Sequence, residues 1–144
     1  MNANNTHNAN DSITATLVPE QQRMMVTAQL FGMHFPMKLE PFVFYWADGI
    51  SENYQGGCWA FYTLSNGGFF MAPSTETNFK VSCDNGYEGE LSATAFGIVC
   101  CLYAYSHLSF QEGNFPASCA EHYHLLREYM YEHGEVGNIL RAID

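Results

Sequence analysis

Residues 54–73, YQGGCWAFYTLSNGGFFMAP, set two apolar runs on either side of a short polar break, and any fold of this chain has to bury both runs. Residues 58–64 are rich in aromatics, Ser65-Asn66-Gly67-Gly68 interrupts them, Phe69-Phe70-Met71-Ala72 resumes, and Pro73 closes the second run. This order is a β-hairpin signature. Asn-Gly tolerates the positive φ that both central residues of a type I′ turn need, and the twist of that turn matches its flanking strands. With Asn66-Gly67 as a two-residue loop, the predicted register pairs Ser65 with Gly68, Leu64 with Phe69 and Tyr62 with Met71, and brings Cys58 toward Thr75. Leu64, Tyr62 and Met71 then share one face, and Trp59, Phe61, Thr63 and Phe70 the other. Both faces are apolar, so helices are needed over one of them fully and over much of the other.

The remaining segments read as that cover. Residues 13–18 alternate Ile13, Ala15 and Leu17 with Thr14 and Thr16, a short strand or extended lead-in. Pro19 suits the first turn of a helix in which Met24, Ala28 and Phe31 form a stripe and Gly32 is placed to end it. Residues 33–39 are irregular. Glu40-Pro41 opens a second helix carrying Phe42, Tyr45, Trp46 and Ile50 on one face, a spacing that is usually core. Residues 78–83 alternate as a third antiparallel strand with one wet face, and Asp84-Asn85-Gly86-Tyr87 is a second turn. Ser92 is a good N-cap for the longest helix, with Leu91 stapling onto Phe96, and residues 95–105 are apolar all round, which marks this helix as central. Ser118-x-x-Glu121 reads as a capping box for a helix with a Cys119, Tyr123, Leu126, Met130 stripe, entered through a turn at residues 114–118. Val136, Ile139, Leu140 and Ile143 then dock the C-terminus. The fold expected is α+β: a small antiparallel sheet of about three strands in a meander, covered by four to five helices. Residues 13–144 form one domain behind a disordered tail at residues 1–12.

Composition narrows the function. The chain has 15 carboxylates against five basic residues, a net charge of −10, and only 14% charged residues. So few bases leave little from which to build a nucleic-acid footprint, and no direct nucleic-acid binding is expected. Mimicry of DNA by carboxylates also fails on magnitude. A domain of this length is about 37 Å across, and duplex DNA of that length carries roughly 22 charges, more than 15 carboxylates spread over a whole surface can present on one face. The runs Asp84/Glu88/Glu90 and Glu128/Glu132/Glu135 read as solvated surface. The polar, Asn-rich start has neither the basic end nor the apolar core of a secretory signal. The apolar run at residues 95–105 is too short for the roughly 20 residues that span a bilayer. Five cysteines, two adjacent in a buried helix, suit reduced thiols and a cytoplasmic location better than a disulfide framework.

Candidate chemistry is thin. Gly57-Cys58-Trp59-Ala60-Phe61 imitates the segment around a papain-type nucleophile, but that chemistry needs the Cys at a helix N-terminus, and here a strand follows. The 86 residues after Cys58 also fall short of the roughly 130–150 that such enzymes place before their His. Cys58 therefore reads as a buried structural thiol. The alternative is a small cysteine-dependent enzyme in which Cys58, a His partner such as His107, and Glu90 converge. His122 and His124 point about 200° apart on a helix and cannot share a metal ion, and His107 reads as a polar cap at a helix end. The Gly pairs serve turns and open no phosphate loop. No cofactor, metal or catalytic set is expected.

One stretch carries a resemblance. Leu64-Ser65-Asn66-Gly67-Gly68-Phe69-Phe70-Met71-Ala72-Pro73, preceded by Gly56-Gly57 and Trp59, resembles the signature of the ArdB/KlcA antirestriction proteins of plasmids and other mobile elements. Thr14-Ala15-Thr16-Leu17-Val18-Pro19 with Arg23 is similar to that family's opening. Leu91-Ser92-Ala93, Gly97-Ile98, Cys101 and Tyr105-Ser106-His107 are similar to its central helix. Thr94 stands where an acidic residue is expected, and Phe96 where a small one is. The resemblance implies a non-catalytic inhibitor of type I restriction-modification enzymes, acting on them directly or through another component, and a monomer is expected. Loops on a rigid sheet are where binding residues sit, so the partner-contact candidates are Ser65 and Asn66 at the hairpin tip and Asp84, Asn85 and Glu88 at the next turn. Asn66 and Asn85 are also residues that such turns need structurally.

Overall fold

The computed structural model describes residues 12–144, so the tail expected at residues 1–12 lies, but for its last residue, outside the described residues. Strand β1 (Ala15–Leu17) leads through a 3₁₀ turn at Glu20–Gln22 into α1 (Arg23–Phe31), a π-helical turn at Phe35–Leu39 and α2 (Glu40–Ile50). Strands β2 (Trp59–Leu64) and β3 (Phe69–Pro73) form the hairpin, and β4 (Phe79–Ser82) and β5 (Glu88–Leu91) a second one. Helices α3 (Ala93–Leu108), α4 (Asn114–Met130) and α5 (Val136–Ile143) complete an α+β domain with a three-stranded sheet, β1-β2-β3, and a separate two-stranded one, β4-β5.

The central hairpin forms with a different turn from the one predicted. Gly67 N–H donates to Leu64 O at 2.9 Å and Leu64 N–H to Gly68 O at 2.9 Å, so the loop is Ser65-Asn66-Gly67. Only Gly67 takes a positive φ, 95°, and no described non-glycine does. This is a type I turn followed by a glycine bulge, and no type I′ turn forms. Its extra residue shifts the ladder by one. Tyr62 faces Phe70 and Phe61 faces Met71, which puts Tyr62 and Met71 on opposite faces and overturns the predicted register. Both faces are apolar, so no inward-outward pattern in the sequence penalises the slip.

The strand predicted at residues 78–83 exists as β4 but is not third in a meander. It pairs with β5, Val81 opposite Gly89, while β1 takes the third place, Thr16 opposite Thr63. The second turn copies the first: Gly86 N–H donates to Cys83 O at 3.0 Å, Cys83 N–H to Tyr87 O at 2.9 Å, and Gly86 has φ 95°.

Helix α3 runs along the open edge of β3 and closes it. In an antiparallel ladder alternate residues turn their backbone groups outward, here Phe69, Met71 and Pro73. Tyr105 Oη donates to Phe69 O at 2.8 Å, Cys101 Sγ accepts from Met71 N–H at 3.4 Å and donates to Met71 O at 3.5 Å, and Pro73 has no N–H to satisfy. An edge that would otherwise template pairing with another chain is thereby consumed. Gly97 permits the approach, since a Cβ there would collide with Met71 O and Ala72. Ser92 caps α3 as predicted, accepting from Ala95 N–H at 3.3 Å, and the helix is buried almost all round.

Several stripes differ from those predicted. On α1 the inward residues are Thr27 and Phe31, while Met24 is exposed. On α2 they are Val43, Ala47 and Ile50, leaving Tyr45 exposed and Phe42 stacked on it. Helix α4 begins at Asn114 behind Gly113 at φ 110°, so Ser118 lies inside it and caps nothing. His122, in place of Tyr123, joins Cys119, Leu126 and Met130 in the core. His107 packs on the Trp46 ring, centroids 4.7 Å apart. All five thiols are free; Cys83, Cys100, Cys101 and Cys119 are buried and, against expectation, Cys58 is exposed. Cys58 sits in the extended approach to β2, where no core element covers it.

Candidate functional site

The five sequence-predicted residues occupy two tips of equal geometry that dock on different helices. At the first, Ser65 Oγ accepts from Thr14 N–H at 2.9 Å, tying the tip to the lead-in of β1. Asn66 Nδ2 donates to Leu125 O at 2.9 Å and to Glu128 Oε1 at 3.0 Å, and its Oδ1 accepts from Gly68 N–H at 3.0 Å. At the second, Asn85 Nδ2 donates to Arg141 O at 3.0 Å and Ala142 O at 3.2 Å, and its Oδ1 accepts from Tyr87 N–H at 2.9 Å. Each asparagine thus holds its own turn and clamps one helix, α4 or α5, the latter through carbonyls of a last turn that lack helical partners. Asp84 and Glu88 are exposed. Glu88 also lines a shallow depression of about 440 Å³ with Glu52, Lys80 and Glu90.

A larger concavity, missed from the sequence, lies where α1 meets the π-helical turn. It is a groove of about 660 Å³ with apolar walls, among them Met24, Ala28, Met33, Phe35 and Phe61. Arg23 crosses it with its guanidinium 4.6 Å from the Phe61 ring centre, and its Nε is buried without a hydrogen-bond partner. Burial raises the Glu40 carboxyl above its usual range, and Arg23 pulls it partly back. The signal available in the sequence was the recurrence of Met24, Met25, Met33 and Met37 in a stretch where Arg23 and His34 are the only ionisable side chains between Glu20 and Lys38.

Among the described residues, Cys58, His107 and Glu90 form no nucleophilic site. Cys58 precedes a strand and has no helix N-terminus behind it, His107 is committed to the aromatic stack on α2, and Glu90 is exposed on β5 opposite Lys80. Burial pushes Cys101 and Cys119 up to about 12 and Cys100 well above its ordinary value, the opposite of an activated thiolate. No set of three His, Cys, Asp or Glu side chains placed to hold a metal ion occurs among the described residues. No helix among them is long and apolar enough to cross a membrane.

Comparison with known proteins accounts for the fold. The antirestriction protein family matches residues 52–144. The antirestriction protein KlcA of Escherichia coli is 40% identical over 135 residues, covering 92% of this chain and 95% of its own length. The uncharacterised protein YafX of Escherichia coli K12 is 46% identical over 137 residues, covering 92% and 88%. A solved structure aligns over 96% of this chain and 100% of its own with a TM-score of 0.87 at 36% identity. It is described as one of the KlcA and ArdB proteins, which show a novel fold and antirestriction activity against type I DNA restriction systems in vivo but not in vitro. With the family match over residues 52–144, 40% identity to KlcA across nearly the whole length of both chains and the shared fold, the chain belongs to the antirestriction protein family.

Proposed function

We propose that this protein protects incoming DNA from type I restriction without catalysis and without a cofactor. It acts in the cytoplasm of a bacterial host, as a monomer, and without binding the DNA itself. The observation that carries this reading is the alignment of nearly the whole chain on the KlcA/ArdB fold. The relatives' activity in vivo but not in vitro favours inhibition that needs a component present in the cell besides enzyme and DNA. Ser65, Asp84 and Glu88 are the side chains offered to that partner, because they are exposed beside turns held rigid by Asn66 and Asn85. The two asparagines supply the scaffold and the exposed backbone of each tip.

The test is the plating efficiency of unmodified phage on a type I restricting host expressing the protein. Wild type raises plating toward that on a non-restricting host. The triple variant Ser65→Ala, Asp84→Ala, Glu88→Ala is folded and loses most of the protection. No protection by folded wild type defeats the function, and full protection by the triple variant moves the contact surface elsewhere.

A further inference from the structure

Five of the eight large apolar side chains exposed among the described residues, Leu17, Met24, Met25, Met33 and Met37, belong to the short span before α2, and two of them, Met24 and Met33, line the groove that Arg23 crosses. Scattered exposed apolar residues need no explanation, but a concentration beside a concavity marks an interaction surface. Methionine rims suit such a surface because the unbranched thioether repacks against different partners. The backbone shapes the concavity. Gly32 at φ 61° ends α1, and Phe35, in the π-helical turn that follows, lines the groove; such turns are frequent at functional sites. All the residues lining the groove except Phe61 precede residue 52, where the family match begins.

We propose that this groove docks an apolar segment of a partner protein that bears a single carboxylate, seated on Arg23. The occupant's charge follows from the floor. Arg23 is one of five basic residues in a chain of net charge −10, and its buried Nε–H has no acceptor. An incoming carboxylate meets the guanidinium where it lines the groove, with a charge-assisted bond in an apolar setting, where such bonds are strongest. Glu40 lines the same groove, and the whole surface is acidic, so a second acid on the segment is repelled. One acid among apolar residues fits, and a run of acids does not. The chain's own first 11 residues, MNANNTHNAND, are too polar to fill walls of this kind.

The experiment uses the full chain with 13C-methyl methionine. It is titrated with 12-residue peptides carrying Leu at positions 1, 4, 5 and 8 and one Glu placed at each other position in turn, alongside matching Gln peptides. At least one Glu peptide shifts the Met24 and Met33 methyl signals saturably, and its Gln twin binds about tenfold more weakly. Arg23→Gln erases the difference between the twins, and Met33→Asp, on the open rim, abolishes binding with the fold intact. Three results overturn the proposal: no saturable shift with any peptide, equal binding of the twins, or the same methyl shifts on deleting residues 1–11. A concentration-dependent dimer in sedimentation that Met33→Asp removes, without peptide binding, assigns the groove to a second copy and overturns it too. The readout needs no restriction system, so it succeeds or fails independently of the plating test.

Discussion

Asn66 and Asn85 each make three side-chain hydrogen bonds that close a turn and fasten a helix to it. Removing such a side chain leaves an N–H, and at Asn85 two last-turn carbonyls as well, unpaired at a partly buried junction, and each net bond is worth about 1 kcal/mol. Asn66→Ala and Asn85→Ala should therefore each cost about 1–3 kcal/mol in urea unfolding, whereas Asp84→Ala, at an exposed position, should cost under about 0.5 kcal/mol. Equal effects of the three would show that the clamps contribute nothing. His122 offers a second test. Its ring lies against Phe31, centroids 4.7 Å apart, and its buried Nδ1 has no partner. Burial lowers its pKa from the ordinary value, and Glu121 only partly offsets this. The unfolded chain consequently binds this proton more readily than the folded one, and stability rises with pH through the window. The contribution is complete above the unfolded value of about 6.5 and is lost as pH falls below it. His122→Phe should show a smaller drop in Tm between pH 7.5 and pH 5 than wild type, and parallel drops would exclude His122 as the titrating group. The two departures from the family pattern also find partners. Thr94 Oγ1 meets His133 Nε2 at 2.9 Å, with His133 Nδ1 accepting from Glu135 N–H at 3.0 Å, and Phe96 stacks on Phe79 with centroids 4.5 Å apart.

Among the elements, α3 against β3 decides whether the fold exists, because this single contact covers a sheet edge and forms the middle of the core. Gly97 is where the two backbones meet, and the atoms opposing a new Cβ are Met71 O and Ala72, neither of which can rotate away. Gly97→Ala should destabilise by about 3 kcal/mol or more, while Gly137→Ala, with open space around it on α5, should be neutral or slightly stabilising. A Gly97→Ala variant with wild-type stability would mean that α3 does not lie on β3. The centrality of α3 was legible from the sequence, since residues apolar on every side have nowhere else to go. The hairpin was legible as an element but not in register. Its Asn-Gly pair is compatible with a two-residue type I′ loop and with a three-residue loop ending in a glycine bulge, and the two differ by one residue in register. The same limit hid the start of α4, where Ser118 and Glu121 imitate a cap while Gly113, with its positive φ, begins the helix. It also hid β1 as the third strand, because three residues of alternation do not say which neighbour they pair with. For the candidate site the tips could be read and the groove could not, since exposure of the methionines follows from which side of α1 faces Phe61.

At the scale of the whole molecule, the distribution of thiols gives a test of whether the protein acts by contact or by catalysis. Four cysteines are buried, and Cys101 spends its sulfur on the backbone of β3, while Cys58 alone is open to solvent. A thiol reagent added to the native protein should modify one cysteine per chain quickly and the other four only on unfolding, because access and thiolate fraction govern the rate. The exposed thiol belongs to the segment that imitates a catalytic motif, so its replacement is the informative substitution. An acting nucleophile would lose essentially all activity on Cys58→Ser, since serine without a base is a poor substitute. A solvent-facing side chain before a strand should tolerate the change with under about 0.5 kcal/mol of stability lost. Protection of unmodified phage should therefore be the same with Cys58→Ser as with wild type at matched expression. Loss of protection by a folded Cys58→Ser protein would return the cysteine to the centre of the mechanism and reject inhibition by contact alone.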